Sequence, residues 1–275
     1  SSFTFNLSGN VLNYSGGTLS LSTGLPGNIV ASAAAGGGVQ LEVQLPPVAT
    51  NDQIANQLVS GYWNGDVHRW NVTQGGTLTV NISMLSSAEQ SVARTTLGLW
   101  ADIIGINFQE VASGGQNVFD NTYVPGEGPY ALTDWSNGFL TSAVIHIPSG
   151  WVTTYGSWPG SHGFETYIHE IGHALGLGHA GNYNQSAVFT NDALFANDTI
   201  VTSVMSYFDI AESYYFWSQG FSNYRVGTPM QADVVAMQRL YGLSTTTRTG
   251  DTVYGFNSNA GPIYGASGSV ALTIF

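Results

Sequence analysis

The chain has 275 residues, of which 17 are acidic and 5 basic, giving a formal net charge of −12, with 43% apolar residues and no cysteine. That length can bury one large core or two ordinary ones. All the basic residues are arginines (Arg69, Arg94, Arg225, Arg239, Arg248) and none are clustered. This excludes nucleic acid and anionic membrane surfaces as partners, and the lack of cysteine excludes disulfides, thiolate metal sites and a thiol nucleophile.

In chain order, residues 1–49 stand apart. Phe3–Leu7, Val11–Tyr14, Thr18–Leu21 and Val39–Leu45 are short alternating runs between Gly, Asn and Ser clusters, a strand-and-turn pattern. Ala31–Gly38 and Pro46-Pro47 read as a flexible and a stiff joint, with a domain boundary near residue 50. The segment is either a small β-rich extension or a pro-segment. Thr77–Ile82 alternates as a strand. Ser86 and Glu89 form a capping box for a helix carrying Val92, Thr96, Leu99, Trp100 and Ile103 on one face and ending at Gly105. Ile106–Val111, Asn117–Tyr123, Tyr130–Trp135 and Ala143–Ile147 are strand candidates, followed by a helix rich in histidine. Thr228-Pro229-Met230-Gln231 reads as a second capping box with Pro at N1, opening a helix that Gly242 stops. Residues 244–275 return to Gly, Asn, Thr and Ser with short strands. The order of elements predicts an α/β or α+β layered domain.

Three of the six histidines fall within His169–His179, HEIGHALGLGH. His169 and His173, four residues apart, share one helical face and can share a metal. Gly176 breaks the helix in a left-handed turn, which allows His179 to swing back as a third ligand. Three imidazoles with an open fourth position suit catalytic rather than structural zinc. Glu170, beside the first ligand, is placed to act as general base. The bland alternative is a helix whose histidines merely pack; the long pattern H-E-x-x-H-x-x-G-x-x-H argues against it.

HEIGHALGLGH with the following Ala180–Asn184, then Ser203-Val204-Met205-Ser206-Tyr207, resembles the metzincin zinc proteases, and within them the serralysin family. Leu58–Gly65 (LVSGYWNG), the Leu99–Asp102 helix end, Asp233–Gly242 (DVVAMQRLYG) and Arg248–Asn259 (RTGDTVYGFNSN) extend the likeness. The resemblance implies an α+β, metzincin-like protease domain over residues 50–243: a mixed twisted sheet and a zinc-binding active-site helix. It is preceded by the β-rich residues 1–49 and followed, over 244–275, by a junction and the start of a calcium-binding β-roll. It implies Zn2+ held by His169, His173 and His179, with Tyr207 as a fifth ligand that can swing to the reacting carbonyl, Met205 as the apolar base beneath the histidines, and Glu170 as catalytic base. Tyr130, Ala131, Leu132 and Thr133 would form the edge strand that pairs with an extended peptide. Ca2+ would be held by the backbone of Arg248, Gly250 and Thr252. Two departures stand out: Ala180 replaces the proline usual after the third histidine, and no G-G-x-G-x-D repeat occurs.

The other candidates read more plainly. Alternation points His146 away from the core, His162 sits at the helix entrance, and His68 has no nameable partner. Asp192, Asp198, Asp209 and Glu212 read as solvated carboxylates. No apolar run is long enough to insert into a membrane, and Ser1-Ser2-Phe3 does not open a signal peptide. The acidic Gly-, Ser-, Thr- and Asn-rich composition reads as that of a secreted, extracellular bacterial protein whose signal was removed or lies beyond Phe275. The function expected is a secreted zinc endopeptidase, a monomer acting on protein or peptide substrates. The alternative is a non-enzymatic exported surface or adhesion module with a zinc site. A latent form, with the chain's own residues 1–49 as inhibitor, is a third expectation.

Overall fold

The computed structural model describes residues 4–8, 11–14, 16–20, 28–265 and 268–275. Phe3 and Leu21, the outer ends of two expected strands, lie outside them. The first strands form their own units. β1 (Phe5–Ser8), β2 (Val11–Tyr14) and β3 (Gly17–Ser20) make a three-stranded antiparallel sheet, and β4 (Asn28–Ala33) pairs with β5 (Val39–Gln44). The expected joint at Ala31–Gly38 is therefore strand as far as Ala33 and then a tight turn, with Gly37 and Gly38 in the left-handed region. The reason is the register: Ala31 and Ala33 face Leu41 and Val39, and alanine fits a ladder when its partners are apolar.

At residue 47 the chain reaches the main body. Pro47 O accepts from Ala196 N, and the Asn197 side chain bonds both backbone groups of Ala49. Thr50 and Gln53 then cap each other's ends of α1 (Asn51–Asn56), which continues as a π-helical turn over Gln57–Gly61.

The body is a five-stranded mixed sheet in the order β7-β6-β8-β10-β9. β6 (Thr77–Asn81), β7 (Asn107–Glu110), β8 (Asn117–Asp120) and β10 (Phe139–His146) run parallel, and β9 (Tyr130–Ser136) is antiparallel at one edge. α2 (Ser87–Ile104) crosses from β6 to β7 with the Ser86–Glu89 box in place and Gly105 left-handed at its end. It packs on α4 (His162–Ala174) and on α7 (Gln231–Tyr241). Short helices α3 (Trp151–Tyr155), α5 (Phe189–Asp192) and α6 (Tyr214–Trp217) complete it. Trp70, Trp100, Phe119, Ile145, Tyr167 and Ile168 form the centre of the core.

Three expectations change. β10 begins at Phe139 rather than Ala143, through an irregularity between Leu140 and Ser142. α7 is capped by Asp233, whose carboxylate accepts from Met230 N at 2.7 Å, while Thr228 is buried and accepts from Thr273 N. Residues 244–275 hold no named strand among the described residues. Among the described residues their one ladder contact is a bridge between Val226 and Ala271, and Gly255 N and Asn259 N are instead taken up in turns, by Tyr264 O and Val253 O. Arg248 pairs with Asp102 and lies over the Tyr264 ring. No helix among the described residues is long and apolar enough to cross a membrane.

Candidate metal centre and cleft

α4 buries Phe164, Tyr167, Ile168 and Ile171, which fixes its rotation and turns His169 and His173 to the opposite side. Two buried tryptophans hold it axially: Trp100 Nε1 donates to Ile168 O at 3.1 Å and Trp70 Nε1 to Ala174 O at 2.9 Å. Past Leu175 the chain must reverse sharply. Gly176 has φ +106°, and a Cβ there would lie 2.0 Å from His68 O. Gly178 lies flat on Tyr62, with no room for a side chain either. These two glycines bring His179 back over the helix.

The ligand atoms of His169, His173 and His179 lie within 4.8 Å of one another. His173 Nε2 is 3.1 Å from His169 Nε2 and 2.9 Å from His179 Nε2. Each Nδ1 faces a backbone carbonyl: Val204 O at 2.8 Å, Leu177 O at 2.7 Å and Tyr183 O at 2.9 Å. A carbonyl can only accept, so each Nδ1 carries the proton and each neutral ring presents a bare Nε2 lone pair to the others. Burial lowers all three rings, His173 to about 3, so protonation does not relieve the clash. Three lone pairs converging in a buried space fit a cation, and imidazoles with no thiolate or carboxylate fit zinc with an open position.

Glu170 is buried next to this cluster, and its Oε2 has no hydrogen-bond partner. Burial pushes its carboxyl up to about 8. The Tyr207 ring lies 4.5 Å from that of His179 and 5.9 Å from that of His169, and burial pushes its phenol up to about 12. Met205 is fully buried under α4, its Sδ against Gly172.

No family model matches the chain. Curated proteins do. Metalloprotease AprA of Pseudomonas entomophila (strain L48) is 31% identical over 256 residues, covering 83% of this chain and 52% of the relative. Serralysin of Proteus mirabilis is 38% identical over 191 residues, 62% and 38% of the two chains. Serralysin C of Dickeya chrysanthemi is 36% identical over 217 residues, 69% and 41%. The chain belongs to the serralysin family. It spans about half the length, or less, of these relatives.

In this serralysin-family chain the remaining candidates scatter. Tyr130, Ala131, Leu132 and Thr133 lie on β9, opposite His146, Ile145, Val144 and Ala143 of β10. The outer side of β9 pairs with no strand among the described residues. A cavity of about 530 Å³ runs beside His169, Glu170 and Tyr207, from Gly128-Pro129 to Arg225. None of its lining comes from the described part of residues 1–49. Arg248, Gly250 and Thr252 belong elsewhere, on a separate cavity of about 910 Å³ with Asp102 and Asp251. There the Thr252 hydroxyl donates toward both Arg248 O and Gly250 O.

His146 is not a surface residue. β8 and β9 flank it on both sides, so its ring stacks on Tyr130 at 4.6 Å and its Nδ1 meets Asp120 at 2.9 Å. His68 is sandwiched between Trp63 and Trp135, with ring centroids at 4.4 and 4.6 Å. Asp198 is not solvated: it is buried, accepts from the Tyr183 hydroxyl, and burial raises it to about 6. Asp192 accepts from Val188 N, and Asp209 with Glu212 caps a short turn.

Two groups lay outside the sequence reading. Asp233 accepts from Ser203 Oγ at 2.6 Å and from Val204 N at 2.8 Å, and so fixes the turn whose Val204 O holds His169. Glu165, which is buried, pairs with the partly exposed Arg225 in the cleft. The available signal for the latter was helical spacing: His162, Glu165, His169 and His173 fall on one stripe of α4.

Proposed function

We propose that the protein is a secreted bacterial zinc endopeptidase built on a metzincin-like protease domain over residues 50–243. The observation that carries this is the convergence of three bare Nε2 atoms beside an unpartnered buried carboxylate, Glu170. Residues 1–49 are then an N-terminal extension, and 244–275 the junction toward a calcium-binding β-roll, with the carbonyls of Arg248 and Gly250 and the backbone at Thr252 as calcium donors.

His169, His173 and His179 would hold the zinc, which supplies Lewis acidity toward the scissile carbonyl and lowers the pKa of a water to roughly 7. An extended peptide lies antiparallel along the free side of β9, hydrogen-bonding the backbone of Tyr130–Thr133. Glu170 takes the proton of the attacking water and passes it to the leaving amine. Tyr207, protonated because burial raises its phenol, donates a hydrogen bond to the carbonyl oxygen as that oxygen gains charge. Met205 and Gly172 keep the floor beneath the histidines dry and tightly packed.

The test is casein cleavage by the purified chain, with and without a zinc chelator, beside Glu170→Ala assayed for bound zinc. The expected result is cleavage that chelation abolishes and that the variant lacks by ~10³-fold or more, with stoichiometric zinc in the variant. An unchanged rate in Glu170→Ala would end this reading.

A further inference from the structure

The cavity beside Glu170 does not end in an apolar floor. α4 continues its cleft-facing stripe toward its N-terminus, one turn to Glu165 and two to His162, ~10 Å from His169 along the axis. The Glu165 side chain is 8% exposed and is held by Arg225 Nη1 at 2.7 Å, with Val226 N at 3.4 Å from its other oxygen. The same Nη1 lies 3.3 Å from His162 Nδ1. Arg225 Nη2 is 3.6 Å from Asp209 Oδ1, beyond hydrogen-bond range. A guanidinium has five N–H donors and no acceptor. The donors on Nη2 and Nε have no hydrogen-bond partner among the described residues. The Arg225 side chain is 34% exposed and lines the cavity.

We propose that Arg225, anchored by Glu165, determines which residue is accepted after the scissile bond: the pocket selects side chains with a hydrogen-bond-accepting oxygen, the amides of Gln and Asn first. The inference rests on the peptidase reading. An aliphatic side chain would cover the free guanidinium donors without replacing their water, and a site built to hydrogen-bond rejects an analogue that cannot. A cationic side chain would bring like charge against the guanidinium. Glu165 and Asp209 together outweigh the one positive charge, so the pocket has no surplus charge to attract an anion. Selection is by hydrogen bonding, and amides precede carboxylates.

The test uses four peptides identical except for Gln, Glu, Leu or Lys after the scissile bond. Values of kcat/KM are compared for the zinc-loaded wild type, Arg225→Met and the double variant Glu165→Gln/Arg225→Met. The double variant leaves no buried carboxylate unpaired should the single one fold poorly. The ratio between two peptides does not depend on the active fraction. The expected wild-type order is Gln above Glu above Leu and Lys, with Gln over Leu by ~10-fold or more. In both variants Leu overtakes Gln. The same order in wild type and variants, or a wild type that prefers Leu, overturns the inference alone. A zinc-loaded wild type that cleaves none of the four overturns the peptidase reading and the inference together.

Discussion

The two ends of the cleft are built from different lengths of chain. At the histidine end, all three imidazoles and Glu170 come from His169–His179, one helix and one glycine turn. At the far end, the charged floor joins Glu165 of α4, Asp209 after Met205, and Arg225 from the loop before α7. The first end can be placed by helix geometry alone. The second exists only once three distant segments have packed. Even the histidine end depends on distant chain for one orientation, because Val204 O, 35 residues on, fixes the tautomer of His169.

The largest effect expected from this contrast is at the centre of the local cluster. His173 Nε2 lies between the other two. In His173→Ala, zinc content measured by atomic absorption should fall close to zero, and casein cleavage with it. His162→Ala, on the same stripe about three turns below, should keep its zinc. Full zinc in His173→Ala would show that the cluster is not the metal centre.

The legible parts of the molecule are those whose partners are near in sequence. Ser86, Glu89 and Gly105 mark both ends of α2 because caps act over one turn. The alternation of Thr77–Asn81 marks β6 because one face is buried. His146 was misread for the opposite reason. Alternation gives the side of a strand on which a residue lies, and only the pairing of β10 with both β8 and β9 shows that this side is covered. Asp198 fails in the same way. A carboxylate in a polar stretch looks solvated until the Tyr183 hydroxyl closes over it. Asp233 carries no local signal, because its partners Ser203 and Val204 lie 30 and 29 residues back in the chain. Met205 and Tyr207 were found through a family resemblance, since nothing in their spacing from His179 implies contact.

Tyr207 offers a smaller effect that sharpens the comparison. It approaches the histidines from outside the motif, with its ring against His179 and Tyr183. Tyr207→Phe keeps the packing and removes the donor. The expected change is a ~10- to 100-fold fall in kcat with KM nearly constant, the pattern of an interaction made only as charge develops. A rise in KM at unchanged kcat would place Tyr207 in substrate binding instead.

The smallest effect expected is one of pH, at the support furthest from the reacting atoms. Burial raises Asp233 to about 6 despite its three donors, Ser203, Val204 and Met230. The unfolded chain titrates near ~3.9. With the folded value above the unfolded one, the native protein holds this proton more tightly. The stability that results is complete below pH ~3.9 and is lost as pH rises through about 6, on the order of 2–3 kcal/mol in all. Asp233→Asn cannot titrate, and the histidines, present in both proteins, cancel on subtraction. Urea unfolding of both at pH ~4 and ~7.5 should therefore show the wild type's margin over the variant shrinking as pH rises. A margin that grows instead would mean that the Ser203, Val204 and Met230 donors hold the carboxylate ionised throughout. The support of His169 would then be an anion fixed by its hydrogen bonds, and the loop carrying Val204 and Met205 would be most firmly tied where the peptidase is expected to work.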